Sequence, residues 1–167
     1  MNRALLLVDD DENYLKSMAR IFLYEGYKIF AATSGDEAIK ILDQNKVQVI
    51  VSDQRMPGMS GVELLSRVKY LYPDVVRIVI TGYADIELAT KAVNKGAIFK
   101  FLVKPCSNDL LRSTVQQAFR YSDLQNERNE NSSEFNDISE DEREECASGD
   151  GKKKGSLYRA KKKWGLG

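Results

Sequence analysis

The sequence predicts an α/β domain in which a parallel sheet is covered by helices on both faces. Three observations carry that expectation. Between Ala4 and Tyr121, short apolar runs alternate five times with amphipathic stretches. The runs are apolar with at most one charged or amide residue in each, close to the continuous pattern of strands buried on both faces. Four of the amphipathic stretches open on Ser or Asp, and three close at Gly or Pro, the usual punctuation of helices. Strict strand–helix alternation with right-handed crossovers leaves few topologies. The pattern alone does not fix the strand order.

The elements follow in order. Ala4–Val8 is a short apolar run and reads as a buried strand. Glu12–Glu25 carries Leu15, Met18, Ala19 and Phe22 at helical spacing, with Gly26 as the stop. Tyr27–Ala31 is the second strand. Ser34 caps a helix from Gly35 to Asp43, and Glu37, three residues on, completes a capping box. Val47–Ser52 is the third strand. Ser60 caps a helix through Val62, Leu65, Val68 and Leu71, closed by Pro73. Val75–Ile80 is rich in β-branched residues and holds Arg77; it is the fourth strand. Asp85 caps a helix with Leu88, Ala89, Ala92 and Val93 on one side, ending at Gly96. Ile98–Val103 is the fifth strand. Ser107 caps a last helix whose Leu111, Val115, Ala118 and Phe119 share a side.

Composition removes several classes of function. The chain has 167 residues, 25 Lys and Arg against 25 Asp and Glu, and no histidine. Its formal charge of zero gives no overall pull toward nucleic acid or membrane, and no apolar stretch is long enough to span a bilayer. Without histidine there is no Ser-His-Asp or Cys-His site and no His-ligated zinc. Cys106 and Cys146 do not make a disulfide framework, so reduced thiols in a cytoplasm are the expectation. Met1–Leu5 reads as the start of a strand and not as a signal peptide.

In a parallel sheet of this kind, the carboxyl ends of the strands open on one edge, where sites form. The first strand ends in Asp9, Asp10 and Asp11, and the third in Asp53. The fourth ends in Thr81-Gly82 and the fifth in Lys104-Pro105. Each piece alone has an ordinary explanation as a turn or a cap. Together they would collect carboxylates, a hydroxyl and an ammonium. Clustered carboxylates repel, and a divalent cation relieves them. Mg²⁺ takes one or two carboxylates plus waters and phosphate oxygens. With Lys104 and Thr81 facing a phosphoryl group, an ionised Asp53 is a candidate nucleophile.

The stretches LLLVDDDENYL, VIVSDQRMPGMSGVELL, RIVITGYAD and FKFLVKP resemble, in order and spacing, the receiver domain of two-component response regulators. The resemblance spans Met1 to about Tyr121. It implies a flavodoxin-like, doubly wound five-stranded parallel sheet with five helices and strand order 2-1-3-4-5. It implies that Asp53 accepts a phosphoryl group from a histidine kinase or phosphotransfer protein, with Mg²⁺ held by Asp10, by Asp9 through water, by Asp53 and by the Arg55 carbonyl. Lys104 and Thr81 would stabilise the phosphoryl group. Thr81 and Phe101 would move together as a switch, Arg55 and Tyr83 would tune hydrolysis, and Pro105 would follow a cis bond. The output face would be formed by residues 85–121, serving a homodimer or an effector. On this reading the chain is a self-phosphorylating and self-dephosphorylating switch and not a turnover enzyme. The run from TGYAD through AVNKGAIFKFLVKP resembles receivers joined to varied outputs, cyclic-dinucleotide phosphodiesterases and transcription activators among them.

Two other functions stand beside this one. A Mg-dependent aspartyl-phosphate phosphatase of the haloacid dehalogenase type wants Asp-x-Asp-x-Thr after the first strand; Asp9 and Asp11 fit, but Asn13 stands where threonine is needed. A nucleotide-binding flavodoxin-like module would carry a Gly-rich phosphate loop, which does not follow the first strand. Residues 122–167 read as a separate charged tail or linker, acidic to Asp150 and basic thereafter, of the composition that stays disordered. Its basic close, with Tyr158 and Trp164, has the makings of a nucleic-acid contact or of a solvated end, and the sequence does not choose between them.

Overall fold

The computed structural model describes the backbone of residues 3–141 and the side chains of residues 3–129. It contains five parallel strands: β1 (Ala4–Val8), β2 (Lys28–Ala32), β3 (Val49–Asp53), β4 (Val76–Thr81) and β5 (Lys100–Val103). They are ordered β2-β1-β3-β4-β5, as the resemblance implied. Five helices alternate with them: α1 (Glu12–Ile21), α2 (Gly35–Gln44), α3 (Gly61–Leu71), α4 (Ile86–Asn94) and α5 (Asn108–Asp141). A single 3₁₀ turn, Tyr83–Asp85, precedes α4.

The two-residue period of a strand sorts its side chains onto opposite faces. Leu5, Leu7, Val49, Val51, Ile78 and Ile80 meet Leu15, Met18 and Phe22 of the α1 segment and Leu111, Val115, Ala118 and Phe119 of α5. Leu6, Val8, Ile50 and Val79 face the other way, toward Ala38 and Leu42 of α2, Leu64, Leu65 and Val68 of α3, and Ala89 and Ala92 of α4. That is why β1, and β3 from Val49 to Val51, are apolar at every position. Each fully buried large side chain in these layers contributes roughly 1.5–3 kcal/mol relative to exposure. Aromatic contacts close one end of the α1–α5 layer, with Tyr27 4.7 Å from Phe119 and 6.0 Å from Phe22, centroid to centroid.

Several local expectations are corrected. α1 stops at Ile21 and not at Glu25, because the chain turns through Phe22 to reach Gly26 at φ +70°. Phe22 keeps its place in the helical apolar pattern, but in that turn. The box expected at Ser34 and Glu37 is only half made: Ser34 accepts the Glu37 amide, while the Glu37 carboxylate reaches back to the Thr33 N–H at 2.7 Å. The complete box is at Ser60 and Glu63. Asp85 makes no capping bond to α4. Arg77, half-buried in β4, is satisfied by the carbonyls of Ala97, Pro73 and Val75.

The boundary drawn at Tyr121 falls inside α5. Residues beyond it still pack: Ser122 is buried, and the Asp123 carboxylate takes Arg3 at 2.9 Å. The chain up to Asn129 forms one compact unit. The basic close, Lys152 onward, lies outside the described residues. Among those residues, no helix is long and apolar enough to cross a membrane.

Candidate functional site

The parallel register brings four strand ends to one edge. Val8 pairs with Ser52, Asp53 with Ile80, and Thr81 with Val103. Asp9, Asp53 and Lys104 therefore stand at neighbouring strand exits. Lys104 Nζ lies 2.5 Å from Asp53 Oδ1 and 3.5 Å from Asp9 Oδ2. The second Asp53 oxygen accepts the Arg55 amide at 2.7 Å, and the second Asp9 oxygen accepts the Asp11 amide at 2.9 Å. A cleft of about 420 Å³ opens over these groups. Asp9, Asp10, Asp53, Arg55 and Lys104 line it, together with the Gly82–Ala84 turn.

The electrostatics are lopsided. Asp9 and Asp53 are both buried, Asp10 sits exposed at the rim, and one ammonium answers three carboxylates. Burial raises the Asp9 pKa above the ordinary carboxylate value; the Asp11 amide and Lys104 oppose that, and the Asp53 charge adds to it. Burial also works against the charge on Lys104, but the hydrogen bond and charge of Asp53, then the charge of Asp9, outweigh it and raise its pKa. Lys104 thus stays an ammonium at neutral pH. It is seated 4.5 Å above the Tyr14 ring.

Thr81 is fully buried, and its hydroxyl donates to the Gly82 carbonyl at 3.2 Å. Phe101 is half-buried and packs on the α2–α3–α4 layer. It pairs with Val79, two residues from Thr81, so Thr81 and Phe101 are diagonal neighbours on one sheet face. Tyr83 is 76% exposed beside the cleft. The Lys104–Pro105 peptide is cis. Among the described residues, no group of three acidic or cysteine side chains is arranged as a closed metal cage. The donors are two buried carboxylates, a third at the rim and main chain of the β3–α3 loop, which suits Mg²⁺, an ion that keeps several of its waters.

Three contributors escaped the sequence reading. Tyr14 carries no motif and is identified only by its place one turn into α1. Gln54 is buried, and its side chain accepts the Val62 amide at 3.0 Å, tying β3 to the start of α3. Asp85 receives Arg55 Nε at 2.6 Å, a pairing across 30 residues that no local pattern signals. Gly61, the first residue of α3, backs directly onto the site. A Cβ there would collide with the Asp53 carbonyl oxygen and lie 2.9 Å from its carbonyl carbon.

The charge imbalance has a measurable consequence. Because the Asp9 pKa is raised, its contribution favours the fold below the ordinary carboxylate value and is lost as pH rises through the folded value. At neutral pH an ionised Asp9 is a cost. Asp9→Asn keeps an acceptor for the Asp11 amide and is expected to raise the urea midpoint of the metal-free protein at neutral pH. A variant less stable than wild type in chelator would contradict this assignment.

A model of the response regulator receiver domain matches residues 5–116. The hydrogenase transcriptional regulatory protein HoxA of Cupriavidus necator is 42% identical over 123 residues, which is 74% of this chain and 26% of that protein. The sporulation initiation phosphotransferase F of Bacillus subtilis is 30% identical over 117 residues, 70% of this chain and 94% of its own. A solved receiver domain from Clostridium thermocellum superposes with a TM-score of 0.69 at 27% identity, covering 73% of this chain and 98% of that one. The chain therefore spans about a quarter of the first transcriptional regulators it matches.

Proposed function

The chain belongs to the response regulator receiver domain family, and from that premise we propose that Asp53 is its phosphoacceptor, charged by a histidine kinase or phosphotransfer protein. The observation that carries this is the Lys104 ammonium on Asp53 Oδ1 in a cleft shared with Asp9 and Asp10. An Asp53 oxygen attacks phosphorus, the P–N bond of the donor phosphohistidine breaks, and the donor nitrogen keeps the electron pair. A new P–O bond gives an aspartyl phosphate, which water later cleaves at phosphorus, returning the carboxylate.

Asp10, Asp9 through water, Asp53 and the Arg55 carbonyl would hold Mg²⁺. The ion supplies charge neutralisation for the transferring phosphoryl oxygens. Lys104 already holds Asp53 and is placed to share its charge with the incoming group. Thr81 has to exchange the Gly82 carbonyl for a phosphoryl oxygen. That movement frees space on the sheet face where Phe101 sits, which is the basis of the proposed switch. Phosphorylation adds about −1.5 to −2 charge and new acceptor oxygens, so two arrangements of the Thr81 loop differ in energy before and after it. The face of α4, β5 and α5, within residues 85–121, is the proposed output surface, for a second copy or an effector.

The phosphatase alternative is disfavoured by Asp11. Its carboxylate accepts the Asn13 and Tyr14 amides at 2.8 and 3.2 Å as the cap of α1, and so is engaged away from the cleft. The test is incubation with acetyl phosphate and Mg²⁺ followed by intact mass. One phosphoryl group per chain, lost in hydroxylamine and not formed in chelator, is expected. Unmodified protein, or steady release of phosphate from phosphomonoesters, would overturn the proposal.

A further inference from the structure

Asp85 occupies the N-cap position of α4 but does not cap it. Its φ and ψ are −110° and 9°, the helix-like values of the Tyr83–Asp85 turn, where a capping residue needs an extended backbone. Its carboxylate instead holds Arg55 Nε at 2.6 Å. The Asp85 side chain is mostly covered, while that of Arg55 is 70% exposed. The pair joins the β3–α3 loop to the β4–α4 loop beside the cleft that both residues' segments line. Arg55 is tied at its other end too, since its backbone N–H donates to Asp53. The guanidinium feels the Asp53 charge as well as that of Asp85.

We propose that Asp85 is a positioning residue that holds Arg55 away from the phosphoryl site, and that phosphorylation of Asp53 exchanges the partners of both. The phosphoryl dianion at Asp53 offers Arg55 more charge and more acceptor oxygens than one carboxylate does. Arg55 moves to it and releases Asp85. The freed carboxylate can then turn to the amides of Glu87 and Leu88, the second and third residues of α4, which the Asp85 side chain does not cap in this arrangement. Taking them requires the Asp85 backbone to leave its helix-like ψ, which opens the 3₁₀ turn. That turn begins two residues after Thr81, so the exchange acts on the same loop as the hydroxyl movement. An exposed ion pair contributes little to stability; its effect here is on which of two loop arrangements is occupied.

This inference rests on Asp53 being the phosphoacceptor, so its test has one arm that needs no phosphoryl group. In that arm, hydrogen exchange is followed in unphosphorylated protein. Arg55→Ala leaves Asp85 free, and the Glu87 and Leu88 amides are expected to slow relative to wild type. In the double variant with Asp85→Ala, no side-chain acceptor is left at the N-cap position, and that slowing disappears. The second arm measures the lifetime of the phosphorylated protein in a double-mutant cycle. Asp85→Asn frees Arg55 and lengthens the lifetime about threefold to fivefold, the range that such a pair commands. Asp85→Glu restores the wild-type value. In the Arg55→Ala background, Asp85→Asn changes nothing.

Exchange rates at Glu87 and Leu88 that ignore Arg55→Ala would overturn the partner exchange. So would an Asp85→Asn lifetime change that survives without Arg55. Failure of the wild type to take up phosphate would instead count against the assignment of Asp53, and the first arm would still read out the contact.

Discussion

Asp53→Asn is expected to take up no phosphoryl group from acetyl phosphate and Mg²⁺, while wild type takes up one. The substitution is nearly isosteric. An amide oxygen still accepts the Arg55 N–H, so the β3–α3 loop keeps its anchor. What disappears is the anionic oxygen proposed to form the new bond to phosphorus, together with the partner that Lys104 now holds at 2.5 Å. Lys104 is left to Asp9, 3.5 Å away. The Asp53 charge is one cause of the raised Asp9 pKa, so removing it eases Asp9 ionisation. The variant therefore folds, and its melting temperature stays near or above that of the wild type in chelator. Intact mass after acid quench reads the phosphorylation, and reductive trapping with peptide mapping locates it. Uptake by the variant at the wild-type rate, mapped to Asp9 or Asp10, would move the nucleophile to the first strand.

Gly61→Ala is expected to damage the fold and the site together. A Cβ at Gly61 meets the backbone of Asp53 and Gln54, which cannot rotate aside as a side chain could. Overpacking of this kind costs about 1–3 kcal/mol, or roughly 4–12 °C in melting temperature for a domain of this size. The strain is relieved by moving the end of β3 or the start of α3. Either shift carries Asp53 away from Lys104, and displacement of a reacting group by about 1 Å costs up to 10²-fold in rate. Gly58→Ala is the control. Gly58 has φ +79° with open space around its missing Cβ, so the substitution strains the turn without pressing on Asp53. It lowers stability by about 1 kcal/mol and leaves the phosphorylation rate within a few-fold of wild type. Equal losses of rate in the two variants would show that loop strain, and not contact with Asp53, sets the requirement for glycine at 61.

The sheet was legible because burial on both faces leaves a plain trace. Where helices cover both faces of β1 and β3 every position must be apolar, and Leu5–Val8 and Val49–Val51 are. The helical ends were less legible, since several residue types serve more than one purpose. Phe22 continues the apolar period of α1 but belongs to a turn. Glu37 stands at box spacing from Ser34 and bonds to Thr33 instead. Asp85 has the chemistry of a cap and is claimed by Arg55.

In each case a long-range or adjacent partner outcompetes the local rule, and a linear pattern does not contain that competition. The same limit explains the helix end set at Tyr121. The polar composition after it hides Ser122 in the core and Asp123 on Arg3. At the site, the strand-end carboxylates and Lys104 could be placed from their positions alone. Tyr14 beneath the Lys104 ammonium needed coordinates, because an aromatic residue on a first helical turn has many ordinary uses.

Among the described residues, the strand order leaves β2 and β5 with one unpaired rim each. Open rims invite further strands and, with them, uncontrolled polymerisation. Both carry lysine at the first position, Lys28 over the Phe30 ring at 4.8 Å and Lys100 toward Gln117 at 3.4 Å. Two such rims brought together would set like charges side by side. Lateral growth of the sheet is thereby discouraged, which channels any reversible self-association of this unit onto its helical flanks, where a rearrangement of the loops beside Asp53 can reach it.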